Sequence, residues 1–147
     1  MFLIIFLLLP LIESYPFGSP ACVTKPRHGV DPQETTSVGV EVTKTALQDG
    51  SFQVNVTSLS ADNYFRGLLV QTKSVGEFLP GENLNVLECT GFLGSRGPDT
   101  KAVTHSDATD KLSATLEFKP DEGALQEPVF EIIVLKNFTT FWTGLTV

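Results

Sequence analysis

The sequence predicts an all-β fold, a sandwich of seven or eight short antiparallel strands with one disulfide. Three observations lead there. Apolar and polar residues alternate in short runs, turn residues punctuate those runs at the roughly 8–12-residue spacing of a sandwich, and no stretch keeps a helical period long enough for a major helix. A small barrel is the alternative closure of the same pattern.

Ahead of the first strand, Phe2 to Ile12 (FLIIFLLLPLI) is an unbroken apolar run that ends at Glu13-Ser14. It is shorter than the roughly 20 residues of a membrane span and is interrupted by Pro10, but it matches the apolar region of a secretory signal peptide. We therefore expect residues 1–14 to be removed and 15–147 to form a single extracellular domain. No later apolar run approaches a membrane span.

In the first expected strand Val38, Val40 and Val42 alternate with Gly39, Glu41 and Thr43, and Gln48-Asp49-Gly50 makes a turn. Phe52, Val54 and Val56 then alternate with Gln53, Asn55 and Thr57. Because successive side chains of a strand point to opposite faces, Asn55 lies away from the apolar set. Arg66 to Lys73 (RGLLVQTK) is a more continuous apolar strand, followed by the loop Pro80-Gly81-Glu82-Asn83 and a strand from Leu84 to Cys89. Leu112, Ala114, Leu116 and Phe118 alternate with Lys111, Ser113, Thr115, Glu117 and Lys119, which predicts one buried face and one wet face. Pro120-Asp121-Glu122-Gly123 closes that strand. Val129 to Leu135 is apolar on both sides except at Glu131, as in a central strand, and Thr139 to Val147 carries the single Trp.

Composition narrows the function. The chain carries 10 Lys+Arg against 17 Asp+Glu, a formal net charge of −7, and its basic residues are scattered. Without a basic cluster, neither nucleic acid nor a polyanionic glycan is an expected partner. Cys22 and Cys89 are an even count in an oxidising compartment and allow one pairing. There is no CxxC and no HxxxH, so no metal or cofactor is expected, and His28 reads as a loop histidine rather than a ligand. Asn55-Val56-Thr57 and Asn137-Phe138-Thr139 are sequons, which makes Asn55 and Asn137 candidate glycosylation sites.

Ala102-Val103-Thr104-His105-Ser106-Asp107 sets the three groups of a hydrolase triad side by side. A working triad needs a serine bonded to a histidine that a carboxylate orients, and the three normally converge from distant parts of the chain. The chain has two histidines and no GxSxG elbow, since Leu93-Gly94-Ser95-Arg96-Gly97 lacks the first glycine. We read AVTHSD as structural, with Thr104, Ser106, Asp107 and Thr109 bonding nearby backbone at a turn or strand end, and we expect no catalytic residue. The other concentration of interest is Asn63-Tyr64-Phe65-Arg66-Gly67. Tyr64, Phe65 and Arg66 at a loop rim suit stacking on sugars or contact with phosphate and acyl groups. In the alternative reading Phe65 packs in the core, Arg66 pairs with a carboxylate and Gly67 permits close approach. Candidate ligand contacts are thus Tyr64, Phe65 and Arg66, then His105 and Asp107.

The order of these pieces is more informative than any one of them: Tyr15-Pro16-x-Gly18-x-Pro20-x-Cys22, Pro26-x-His28-Gly29, Phe65-Arg66-Gly67-Leu68-Leu69-Val70-Gln71, Glu88-Cys89, AVTHSD with Lys111, and Phe141-Trp142. The sequence resembles the reeler domain over essentially all of residues 15–147, most nearly the small secreted insect defence proteins of the Noduler type. That resemblance implies an immunoglobulin-like β-sandwich, a Cys22–Cys89 disulfide, and a secreted protein of innate immunity, without enzymatic activity, in a haemolymph-like fluid. The implied partners are a microbial surface glycolipid or glycan, or a haemocyte surface, with a possible antimicrobial role. An extracellular matrix or adhesion module binding host protein or glycan is the alternative. Larger members append a haem-binding membrane part, which this chain lacks, so electron transfer is not expected.

Overall fold

The computed structural model describes residues 15–91 and 95–147. The expected signal segment, and Leu93 and Gly94 of the LGSRG stretch, lie outside them. The described residues hold nine strands: β1 (Val40–Ala46), β2 (Phe52–Ser58), β3 (Gly67–Thr72), β4 (Gly76–Phe78), β5 (Leu84–Glu88), β6 (Lys101–His105), β7 (Ser113–Pro120), β8 (Glu131–Leu135) and β9 (Phe141–Thr146). They form two antiparallel sheets, one in the order β1-β2-β7-β4 and one in the order β5-β6-β3-β8-β9. This is a sandwich rather than the alternative barrel.

The alternation in β2 and β7 is what turns one face of the first sheet inward. Val54 pairs with Leu116 and Val56 with Ala114, while Asn55 and Thr115 share the outer face. The inward set meets Leu68 and Val70 of β3, Val103 of β6, and Ile132 and Val134 of β8 in one core. Phe118 stands edge-on to both Phe78 and Phe130, with ring centroids 5.1 and 5.4 Å apart, the geometry that aromatic quadrupoles favour.

Every residue of β3 is buried, because the strand is covered on both faces. The outward residues Leu69, Ala102 and Ile133 form a second cluster with Cys22 and Cys89. The N-terminal segment therefore lies over the outside of the five-stranded sheet, tied there by the Cys22–Cys89 disulfide, whose Cα atoms are 5.4 Å apart. Two further bonds hold it: the Arg96 amide donates to the Cys22 carbonyl (2.7 Å) and the Cys22 amide to Ser95 Oγ (3.2 Å). In the chain-entropy picture a loop of this length contributes about 4 kcal/mol.

AVTHSD spans a strand end and the bend after it: Lys101–His105 is a strand flanked by β5 and β3. Two expectations need correction. β4 was not anticipated, because three residues are too few to show alternation. The Leu112-to-Phe118 alternation breaks at its first member. Leu112 is 52% exposed, whereas the Lys111 side chain is only 10% exposed. Lys111 is tucked in because its backbone pairs with Phe65 and its amino group donates to the Asp107 carbonyl (2.8 Å) and the Thr109 carbonyl (3.0 Å).

Candidate ligand-binding site

The connections β2–β3, β6–β7 and β8–β9 gather at one end of the sandwich and bring distant polar residues together. In the first, Ser60 leads into a short 3-10 turn, Ala61–Asn63, and the chain then runs extended toward β3. Extension sends Phe65 inward and Tyr64 and Arg66 outward. Phe65 is 1% exposed and exchanges backbone bonds with Lys111 (3.0 and 2.8 Å). Its ring is part of the core, so the outward pair is what this stretch offers to solvent.

Arg66 Nε donates to Asp110 Oδ1 at 2.6 Å, and its guanidinium carbon lies 5.4 Å from the centre of the Tyr64 ring. Asp110 raises the guanidinium pKa, mainly through that hydrogen bond. Lys136, arriving from β8, places its ammonium 4.9 Å from the same ring and donates to the Asp62 carbonyl (2.8 Å). Tyr64 is thus held by two cations, each contributing through its attraction to the ring quadrupole.

Beside this ring a groove of about 200 Å³ opens. Asn63, Tyr64, Lys136 and Thr140 supply its polar rim, and Val40, Phe65 and Val134 its apolar floor. The indole of Trp142 also lines it, oriented by donation from Nε1 to Ser37 Oγ at 3.0 Å. Gly39 matters because a Cβ there would sit 2.2 Å from Asn63 Cγ. Only the missing side chain lets Asn63 keep its place at the rim.

His105 and Asp107 are near this end but face other partners. His105 Nδ1 lies 3.1 Å from the Leu68 amide, which donates to it when the neutral ring carries its proton on Nε2, and 3.2 Å from the Leu68 carbonyl, to which it donates when Nδ1 is protonated. The imidazole is almost fully buried, and burial lowers its pKa, opposed in part by a hydrogen bond to the Leu68 backbone. Thr104 Oγ1 donates to the Leu68 carbonyl (2.8 Å) and accepts from the Ser19 amide (2.9 Å), anchoring the N-terminal segment. Asp107 accepts from Lys111 Nζ (2.8 Å), the Thr109 amide (2.8 Å) and the Thr109 hydroxyl. These bonds hold its carboxyl well below the usual carboxylate range, with Lys111 the leading cause. Among the described residues, no hydrogen bond joins Asp107 to His105, so the hexapeptide has no triad geometry.

Asn55 sits mid-strand on the outer face of the first sheet, accepting from the Thr115 hydroxyl (2.7 Å) and donating to Gln53 Oε1 (3.2 Å). Asn137 is exposed in the β8–β9 loop, where its Oδ1 accepts from the Thr139 and Thr140 amides (3.0 and 2.8 Å). His28 stacks on Phe138 with centroids 4.3 Å apart and packs edge-on to Phe141. Among the described residues no cluster of three or more His, Cys, Asp or Glu is placed to hold a metal ion.

Of the expected contacts, Tyr64 lines the groove and Arg66 flanks its ring without lining it; Lys136, Trp142, Asn63 and Gly39 were not among those expectations. The lone Trp was the one available signal. Lys136 has none, because its nearness to Tyr64 arises only when β8 lies beside β3.

Comparison with known proteins agrees with the sandwich. "Putative defense protein 3" of Antheraea mylitta is 30% identical over 145 residues, covering 93% of this chain and 86% of that protein. "Putative ferric-chelate reductase 1 homolog" of Drosophila melanogaster is 25% identical over 90% of this chain, which spans only 22% of that protein. Two crystal structures of F-spondin superpose over 80% of the chain: the human reeler domain (TM-score 0.58, 12% identity, 91% of that structure) and the reelin-N domain (0.56, 16%, 88%). At those identities they speak to the fold alone. The reeler domain matches residues 20–146, and this chain belongs to that family.

Proposed function

We propose that this chain is a secreted, non-enzymatic defence module that binds a microbial surface glycolipid or glycan through the Tyr64–Lys136–Trp142 groove. One observation carries the placement: a tyrosine ring, the Lys136 ammonium and an apolar floor converge on a groove of about 200 Å³ at a loop end, with Arg66 flanking the tyrosine ring outside it. Such a rim offers a face for a sugar ring, donors for hydroxyl or phosphate oxygens, and apolar surface for an acyl root. The defence role is supported by the similarity to the Antheraea mylitta protein. Extracellular residence is supported by the disulfide and by the apolar N-terminal run.

The test is binding of purified protein to lipopolysaccharide, lipoteichoic acid and β-glucan, with Tyr64→Ala and Lys136→Ala alongside. Each substitution is expected to weaken binding about tenfold, the loss of one stacking or charge-assisted contact. Undiminished binding in both variants refutes the placement. Failure to bind any of the three, with transcript levels unchanged by bacterial challenge, favours a matrix or adhesion module recognising host protein or glycan.

A further inference from the structure

At the opposite end of the sandwich, where β3 leaves for β4 and β5 connects to β6, a second pocket of about 310 Å³ opens. Thr24, Lys73, Arg96, Asp99, Thr100 and Glu131 line it, with no aromatic or large aliphatic side chain among them. We propose that this pocket binds a small zwitterion, a molecule carrying an ammonium and an oxyanion close together. Its oxyanion meets Lys73 and Arg96, its ammonium meets Asp99 and Glu131, and one of its polar atoms bonds the Thr100 hydroxyl.

Three features select this class. First, two cations face two carboxylates, so the pocket has no excess charge, and the chain as a whole carries −7. A simple anion finds no attractive field there, whereas a neutral molecule with separated charges meets a partner for each.

Second, the two ion pairs differ. Arg96, mostly buried, donates to Glu131 through Nη2 in a close contact that sets the wall of the pocket. Lys73 Nζ and Asp99 Oδ2 are 3.9 Å apart, and both side chains are about two-thirds exposed. An exposed pair at that separation contributes little, so ligand charges displace it at small cost.

Third, Thr100 is 2% exposed, and its Oγ1 is buried with no hydrogen-bond partner among the described residues. A hydroxyl offers one donor and two acceptor sites, and leaving them unused in the interior is unfavourable. A bound polar group relieves that cost. The lack of an aromatic face or apolar wall argues against a stacked sugar or an acyl chain here.

The oxyanion can be a carboxylate, as in a free amino acid, or a phosphodiester, as in an ethanolamine headgroup. Calorimetric titration of the full secreted chain with L-serine and with glycerophosphoethanolamine separates the two. Ethanolamine and acetate, each carrying one of the charges, are the controls. At least one zwitterion is expected to bind saturably with a millimolar-range constant, and the controls about tenfold more weakly or not at all. Preference for L-serine identifies the amino-acid source, and preference for the phosphodiester the headgroup.

Lys73→Ala and Asp99→Asn alter exposed side chains and should fold normally, each weakening the zwitterion about tenfold. Thr100→Val should raise the melting temperature of the unliganded protein, because an unpartnered hydroxyl is removed, and should lower zwitterion affinity. The proposal is overturned if neither zwitterion saturates, if a singly charged control binds as tightly, or if affinity is unchanged in Lys73→Ala and Asp99→Asn.

Discussion

Tyr64 and Phe65 are neighbours in sequence with opposite duties, and replacing each by alanine separates them. The Phe65 ring is 1% exposed and belongs to the main core, where a Phe→Ala truncation removes its buried apolar surface and leaves a cavity behind. That costs about 3–5 kcal/mol. Tyr64 faces outward, and its ring interacts with Arg66 and Lys136 at 5.4 and 4.9 Å. Exposed cation–π contacts contribute about 0.5–1 kcal/mol each, so Tyr64→Ala should cost about 1–2 kcal/mol at most. With a urea slope of about 2 kcal/mol/M, Phe65→Ala should lower the unfolding midpoint by about 1.5–2.5 M and Tyr64→Ala by less than about 1 M. Urea unfolding followed by Trp142 fluorescence measures both, and ligand binding is measured on the folded proteins. A Phe65→Ala midpoint within about 0.3 M of the parent would refute the assignment of this ring to the core. A Tyr64→Ala loss as large as that of Phe65→Ala would refute its surface role.

Replacing Cys22 and Cys89 together by serine should remove about 4 kcal/mol, seen in denaturant unfolding, and amides of β3 should lose hydrogen-exchange protection as the N-terminal segment lifts. His105 titrates below its ordinary 6.5 because it is buried, so below that pH the unfolded chain binds the proton more readily. Stability is therefore full above 6.5 and falls as pH drops toward the folded value. Melting temperatures at about pH 7.5 and 5 should converge in His105→Gln and differ in the parent. Asp107 titrates in the other sense: its stabilisation is present above the ordinary 3.8 and is lost as pH falls toward the depressed folded value. Asp107→Asn should thus be less stable than the parent at neutral pH, by a margin that shrinks in acid; a constant margin would contradict the Lys111 and Thr109 contacts. Gly39→Ala should push Asn63 across the groove and weaken surface binding with little change in unfolding, whereas a large stability loss would place the strain elsewhere.

Strands with one wet face were readable because their pattern is local. The Val54/Val56 and Leu116/Phe118 alternations appear in the sandwich where the period of two puts them. RGLLVQTK could be read as a strand because its apolar run is continuous, and the reason is visible in the fold: the N-terminal segment covers its outer face. AVTHSD was expected to bond nearby backbone, as Asp107 does with the Thr109 amide, but Thr104 does not. Thr104 and His105 are buried and satisfied by Leu68 and Ser19, partners 36 to 85 residues away, and no local pattern announces a distant hydrogen bond. The same blindness made Lys111 look exposed and Leu112 look buried.

Composition, alternation and the count of two cysteines were enough to define an all-β fold, sandwich or small barrel, with a single possible disulfide, because period-two hydrophobicity and cysteine count do not depend on which strands become neighbours. The groove and the charged pocket depend on nothing else. Tyr64 meets Lys136 because β8 pairs with β3, and Thr24, Lys73, Arg96 and Glu131 share a pocket because a segment from the start of the chain folds back over that sheet. Side chains separated by tens of residues acquire a common function only once strand order is set. That order follows from burying every inward face at once, a condition on the whole chain rather than on any stretch of it.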